Sequence, residues 1–347
     1  MSRLKKPRVL VIETGGTIAQ KRSRDGVFRP AENEANLIDR IKSVFRFADV
    51  KTEKLAKMID STNMLTEQRA MIANIIYHNA NEFEGFVITH GTDTMADTAA
   101  ALTFMLQDLG KPIVLTGSQI SIYEPRSDGM GNLIAAIRTA TQDYGEVVIA
   151  FGNGVWRGPR TIKDDEEGFN AFLSPRTPQI GKIGITIEPD YGRIKRHKAE
   201  TRLFTKFDTS IGFFYPMSGV SVDTFSAQVR DPNIHGFVMV GFGAGNIPEV
   251  YYEGIKEATR VHKPVLVVTQ CLKGAADMGI YEVGAVPLRL GAISGGDMTM
   301  QTATQKLMYA LGRANVEKVG DTRRIDFVKH IIYTDYAHEI GNTERKI

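Results

Sequence analysis

The 347-residue chain has one cysteine, Cys271, so an internal disulfide is excluded. No uninterrupted apolar stretch is long enough to span a bilayer. Charge of one sign is also missing. The 43 basic residues nearly balance 40 acidic ones, for a net charge of +3, and that balance calls for neither nucleic acid nor a membrane surface as a partner. The basic start, Arg3, Lys5, Lys6 and Arg8, precedes an apolar run that ends at Glu13, too short for the core of a secretion signal. The cytoplasm is the expected compartment. Several chemical signatures are absent as well: no G-x-S-x-G elbow, no G-x-x-x-x-G-K-S/T phosphate loop and no H-E-x-x-H zinc pair. The nearest approach to a dinucleotide fingerprint, Gly241-Phe242-Gly243-Ala244-Gly245-Asn246, has Asn246 where the third glycine belongs. Seven scattered histidines and one cysteine offer no clustered ligands. Neither a cofactor nor a metal is expected.

What is present is a globular composition, 42% hydrophobic, in a chain whose length favours two domains. From residue 8 to about 186, short β-branched runs alternate with longer periodic segments, which predicts βαβ units and a parallel sheet. Strands are expected at Arg8–Glu13, Phe86–Thr89, Pro112–Thr116 and Val147–Phe151. Met95, Ala99, Leu102, Met105, Leu106 and Leu109 form one apolar stripe, predicting a helix that ends at Gly110, and a second helix is expected over Asp128–Thr141. Apolar periodicity gives way to charge at Tyr191–Lys198, read as a solvated connector between domains. Beyond it, strands are expected at Ile211–Tyr215, Phe237–Val240 and Val265–Thr269, and helices at Val220–Val229, Pro248–Val261 and Met298–Leu311. The tail after Val319 is charged and only weakly patterned.

Two stretches of like design stand out. Glu13-Thr14-Gly15-Gly16-Thr17 follows the first strand, and His90-Gly91-Thr92-Asp93-Thr94 follows Phe86–Thr89. Glycines permit a tight turn, and threonines supply hydroxyls and N–H groups. In an open α/β sheet, loops at the carboxyl ends of strands share one crevice, so the two would face each other across it. A threonine hydroxyl attacks an amide once a neighbour takes its proton and donors meet the oxyanion. Thr17 and Thr92 are the candidate hydroxyls. Asp93 is a candidate acceptor or ammonium partner, and Lys163 a candidate base if burial lowers its pKa. Asp60-Ser61-Thr62-Asn63-Met64 offers a third polar cup for an α-amino or α-carboxylate group. Each residue also has a plainer reading. Threonine and aspartate commonly cap helices, Lys163 adjoins the acidic run Asp164–Glu167, His90 most simply satisfies a backbone group, and Cys271 packs.

Taken together, these stretches resemble the bacterial-type L-asparaginases. The likeness is carried by Thr14-Gly-Gly-Thr17-Ile-Ala, Asp60-Ser-Thr-Asn-Met64, His90-Gly-Thr-Asp-Thr94, Thr116-Gly-Ser-Gln119, Arg126-Ser-Asp128, Thr161-Ile-Lys163 with Gly168-Phe169, and Gly243-Ala-Gly-Asn246, in collinear order. The form of the substrate loop and Thr269-Gln270-Cys271 are most similar to the cytoplasmic type I branch. The resemblance implies a larger N-terminal doubly wound α/β domain with a mostly parallel sheet (1–190), a linker (191–209), and a smaller C-terminal α/β domain with a parallel sheet (210–347), assembled as a homodimer or homotetramer. It implies hydrolysis of L-asparagine to L-aspartate and ammonia without a cofactor. Thr17 would attack the amide carbon, and Thr92 with Asp93 and Lys163 would form a second catalytic group. Asp60, Ser61, Thr62, Thr92 and Asp93 would hold the substrate, and Asn246 would lie near an adjoining subunit's active site.

Departures from the family pattern fall on the lid and on an effector site. The lid tyrosine of the family has no counterpart in Asp25-Gly26-Val27-Phe28-Arg29-Pro30, and Val240 and Ile162 replace residues of an effector site that would include Cys271. Two rival readings stay open. One is the ammonia-supplying subunit of a tRNA-dependent amidotransferase, which carries an added N-terminal domain not expected here. The other is an amino-acid-binding homologue without turnover.

Overall fold

A computed structural model describes residues 5–23, 25–30, 37–194 and 200–341. The chain divides into two compact units, Met1–Thr205 and Lys206–Ile347. Part of the expected connector, residues 195–199, lies outside the described residues, whereas Arg202–Leu203 forms a short strand of the first unit, paired antiparallel with Leu106–Gln107.

The first unit is built on an eight-stranded sheet. Its strands are β1 (Arg8–Gly15), β2 (Asp49–Ile59), β3 (Gly85–Thr89), β4 (Ile113–Thr116), β5 (Val147–Phe151), β6 (Gly154–Arg157), β7 (Gly181–Ile183) and β8 (Ile187–Pro189). Their spatial order is β8-β7-β6-β5-β4-β3-β1-β2. The pairs from β2 through β5 are parallel, and those from β5 to β8 antiparallel. Val9, Leu10, Val11 and Ile12 are all buried, the continuous apolar run of a strand covered on both faces. Helices α1 (Thr66–Asn79), α2 (Met95–Met105) and α3 (Gly129–Ala140) supply the cover. Leu133, Ala136, Ile137 and Ala140 of α3 pack with Val11, Val87, Val114 and Val148, the alternate residues on one face. The chain leaves β1 for β2 on one side and reaches β3 on the other. The crevice outside the ends of β1 and β3 is therefore a topological switch point, where open α/β sheets bind ligands.

The second unit is a parallel four-stranded sheet of β9 (Ile211–Phe214), β10 (Gly236–Gly241), β11 (Val265–Thr269) and β12 (Ile293–Ser294), in that order. Helices α4 (Asp223–Arg230), α5 (Tyr252–Arg260), α6 (Glu282–Arg289), α7 (Met300–Val316) and α8 (Asp321–Tyr333) complete it. Phe225, Val229, Ile255 and Ala258 close on Phe237, Met239, Val265 and Val267, while α7 packs along β10 and β11.

Three helix readings are corrected. The stripe from Met95 does not run to Gly110. The helix stops at Met105, whose carbonyl takes the N–H of Phe204, and strand pairing with residues 202–203 captures Leu106 and Gln107. Tertiary pairing overrides local propensity there. Pro248–Val261 splits into a 3-10 turn, Glu249–Tyr251, followed by α5. Helix α4 begins at Asp223, where the Ser221 hydroxyl accepts the Asp223 N–H at 3.1 Å, not at Val220.

The weakly patterned tail forms α8, and one buried cation secures the segment beyond that helix. The Lys306 ammonium, fully enclosed, donates to the carbonyls of Ile332 (2.8 Å) and Thr334 (2.7 Å) and to Glu339 Oε1 (2.6 Å). Glu339 also accepts the N–H groups of Tyr336 and Ala337. Removing one partner strands the other charge without water. Lys306→Met is expected to destabilise the second unit by ~3–5 kcal/mol, read as a lowered urea midpoint. An unchanged midpoint would show that the pair is not holding the tail.

Candidate active site

The site begins with two glycines that no other residue can replace cheaply. Gly15 and Gly16 have φ of +116° and +80°, a region that side-chain-bearing residues avoid. The space is equally restrictive. A Cβ on Gly15 would lie 2.5 Å from the Ile59 carbonyl oxygen, and one on Gly16 only 2.2 Å from the Gly91 nitrogen. A Cβ on Gly91 would lie 2.5 Å from Ser61 Oγ. The loop leaving β1 thus meets those leaving β2 and β3 backbone to backbone, and Ser61 fills the contact between the latter two. The Gly16 N–H donates to the Ile59 carbonyl at 3.2 Å, and the buried Thr14 hydroxyl donates to the Thr89 carbonyl at 2.8 Å, lacing the strand ends together.

Each expected residue has a definite place on this frame. Thr17, half-buried, opens the 3-10 turn Thr17–Ala19 directly after Gly16. Asp60 caps the turn Ser61–Asn63, its Oδ1 accepting the Thr62 N–H (3.1 Å) and the Thr62 hydroxyl (2.8 Å). Thr62 therefore braces Asp60. The other Asp60 oxygen is 3.4 Å from the Gln20 amide nitrogen, at the base of the hairpin Gln20–Arg22/Phe28–Pro30. Ser61 is buried, and its carbonyl accepts the Thr94 hydroxyl at 2.7 Å.

Lys163 comes from a different quarter. It lies in a small hairpin in which Ile162–Lys163 pairs with Phe172–Leu173. Its ammonium donates to Thr92 Oγ1 at 3.0 Å and to Asp93 Oδ1 at 2.7 Å. Thr92 is 6% exposed and the Lys163 side chain 19%, while the Asp93 carboxylate is 54% exposed. The charge partner of Lys163 is thus Asp93, not the neighbouring acidic run. Neither Thr92 nor Asp93 caps α2, whose N-cap is Thr94. Asn246 belongs to the second unit, where its N–H donates to the Phe242 carbonyl at 2.8 Å. Val240 and Cys271 belong to that unit too, and Ile162 to the first. Among the described residues no group of three or more His, Cys, Asp or Glu side chains is arranged to hold a metal. No helix among them is long and apolar enough to cross a membrane.

Two features escaped the sequence reading. Gln119, in the loop after β4, reaches Thr92 with its side-chain oxygen at 3.4 Å. The signal was available, because Thr116-Gly117-Ser118-Gln119 repeats the strand–glycine–polar pattern of the threonine loops. The second is a buried relay behind Gly91. Arg69 Nε donates to Thr98 Oγ1 (3.1 Å), Thr98 pairs with His90 Nε2 (2.9 Å), and His90 Nδ1 pairs with the Gly91 carbonyl (2.7 Å). Arginine only donates and a carbonyl only accepts, so every proton has one place: Thr98 donates to Nε2, and neutral His90 donates from Nδ1. His90 satisfies a backbone group, as expected.

Known proteins resemble this chain in sequence and fold. Residues 8–195 match the family model "Asparaginase, N-terminal", and residues 210–320 match "Glutaminase/Asparaginase C-terminal domain". The chain belongs to the asparaginase family. It is 34% identical over 316 residues to L-asparaginase 1 of Escherichia coli strain K12, covering 89% of this chain and 93% of that protein. The structure of the thermostable L-asparaginase from Thermococcus kodakarensis superposes with a TM-score of 0.86 at 32% identity, covering 97% of this chain and 100% of that one. A glutamyl-tRNA(Gln) amidotransferase subunit of Pyrococcus abyssi is 33% identical over 346 residues, 96% of this chain and 77% of that protein.

Burial, reinforced by the nearby Arg69 charge, pushes His90 down to about 4. Unfolded, it would titrate near its ordinary value, about 6.5. Between those values the unfolded chain binds the extra proton, so stability must fall as pH drops from about 6.5 to 4, by roughly 3 kcal/mol from this residue. In a folded His90→Gln variant that slope should disappear from denaturation measured across the window. Persistence of the full slope would assign it to other groups.

Proposed function

We propose that this protein hydrolyses L-asparagine to L-aspartate and ammonia through a threonine nucleophile. The observation that carries the proposal is the backbone contact of Gly16 with Gly91. It puts the loops bearing Thr17 and Thr92 in one crevice, with Lys163 and Asp93 hydrogen-bonded in line behind Thr92.

The Thr17 hydroxyl would attack the side-chain amide carbon, and collapse of the tetrahedral intermediate would expel ammonia and leave an acyl-threonine ester. Donors for the developing oxyanion would be loop N–H groups other than that of Gly16, which the Ile59 carbonyl already takes. Water activated at the Thr92–Lys163–Asp93 group would hydrolyse the ester. Thr92 would take the water's proton, and its own would leave through Lys163 once that ammonium has passed a proton to the Asp93 carboxylate it contacts. Asp60, with one carboxylate oxygen turned away from Thr62, and Ser61 would bind the amino acid's α-groups. Asp93, more than half exposed, presents its carboxylate to the same ammonium group.

The likeness to the amidotransferase subunit of Pyrococcus abyssi favours a second reading, in which the same chemistry supplies ammonia to a partner. Assaying ammonia release from asparagine by the protein alone separates them. Turnover without tRNA or other protein supports the hydrolase, and turnover only in their presence supports the transferase subunit. Thr17→Ala and Thr92→Ala should each lower kcat by ~1,000-fold or more with the fold retained by circular dichroism. A well-folded Thr17→Ala protein with parental turnover would remove Thr17 as nucleophile.

A further inference from the structure

Gln119 stands where three separate restraints converge, yet its side chain belongs to neither the nucleophile loop nor the Lys163 hairpin. Its backbone is held by Asp128 at the start of α3, whose two carboxylate oxygens accept the N–H groups of Gln119 and Ile120, each at 3.0 Å. Asn132 fixes that carboxylate in turn, donating to Asp128 Oδ2 (2.9 Å) and to the Gly117 carbonyl (3.0 Å).

The side chain has one possible orientation. Its amide nitrogen lies 2.8 Å from the Glu166 carbonyl oxygen and 3.1 Å from that of Gly168. Those oxygens only accept, so the nitrogen must face them and the amide oxygen must face Thr92. The Thr92 hydroxyl then donates to Gln119, because its other neighbour, the Lys163 ammonium, is itself a donor. The carbonyls that Gln119 grips belong to the tip of the hairpin that carries Lys163. That tip is preformed: Asp165 Oδ1 accepts the N–H groups of Glu167 (2.9 Å) and Gly168 (3.0 Å), and these bonds hold its carboxyl below the usual carboxylate range.

A two-residue ladder is a poor anchor for a group that must stand within hydrogen-bond reach of Thr92. We propose that Gln119 is a positioning residue for this reaction, tying the Lys163 hairpin through its amide N–H groups while orienting the Thr92 hydroxyl through its amide oxygen. This assignment rests on the roles proposed above for Thr92 and Lys163. Misplacement of a reacting group by about 1 Å lowers rate by about 100-fold, so the effect belongs in kcat rather than in substrate binding.

The test compares steady-state asparagine hydrolysis by Gln119→Met, similar in length but without either polar atom, and Gln119→Glu, which keeps an acceptor toward Thr92 but sets a carboxylate against the hairpin carbonyls. Both should lower kcat by about 10–100-fold with KM within about threefold of the parent, and with thermal melting little changed. Amides of residues 164–168 should exchange faster in both. If Gln119→Met does not fold, Gln119→Glu decides alone by the same criteria. A folded variant with kcat within about twofold of the parent overturns the inference, and so does a rise in KM that accounts for the whole loss, which would make Gln119 a substrate contact. Thr92→Ala and Lys163→Met run alongside. If they are inactive while the Gln119 variants are normal, only this inference fails, whereas fully active Thr92→Ala would remove the reading beneath it.

Discussion

The tightest approach between the loops of the site is that of Gly16 to Gly91, near enough that a single added carbon would overlap a backbone nitrogen. Everything proposed for the site depends on that approach. Parallel strands with helical crossovers bring β1 and β3 side by side, but neighbouring strands alone would leave their loops free to splay. Glycine on both sides lets the loops touch without side chains between them. The positive φ at Gly15 and Gly16 then turns the chain sharply enough for Thr17 to follow at once. Ser61 completes the contact from the third loop, so the switch point of the sheet becomes a walled cup.

Around this frame the polar groups are arranged by a simple division between buried and open. Behind Gly91 the relay from Arg69 through Thr98 to His90 is enclosed, and each member has its partner, as low dielectric demands. A titrating histidine there would upset the loop, and its burial keeps it neutral through the physiological range. In front, the Lys163–Asp93 pair is partly solvated on its carboxylate side. Such a pair contributes little to stability. Its value lies in geometry, since it fixes an amine beside a threonine hydroxyl that is itself nearly buried.

Much of this was legible in the sequence for identifiable reasons. The parallel sheet was readable because its central strands are apolar on both faces, and the two threonine loops were readable because Gly-Gly and Gly-Thr follow those strands directly. Lys163 could be named but not placed. Its hairpin pairs Ile162–Lys163 with Phe172–Leu173 across an irregular acidic turn, and two residues per strand leave no periodicity to detect. The helix end at Met105 is hidden in the sequence because Leu106 continues the apolar stripe, and the strand that captures it arrives almost a hundred residues later. The resemblance implies a substrate role for Thr62, and the coordinates add what the sequence does not show, that its hydroxyl donates to Asp60 Oδ1.

In the reaction proposed above Thr17 would lose its proton, and the segment 25–30, which corresponds to the family's lid in sequence, bears on where that proton would go. The segment 25–30 contains no phenol, and its described charged groups, Asp25 and Arg29, are paired with each other at 2.6 Å in solvent. These described residues thus supply no phenol, and under the proposed mechanism the substrate itself would offer Thr17 an acceptor. In that mechanism the departing ammonia would gain a proton, so transfer from the Thr17 hydroxyl to the leaving nitrogen would balance the first step without a strong resident base. That route requires the hydroxyl, the amide carbon and the leaving nitrogen to be held in close register, and it places the burden of catalysis on positioning. A cup whose three loops meet at glycines, with little freedom to shift, is the kind of scaffold on which such positioning can be sustained.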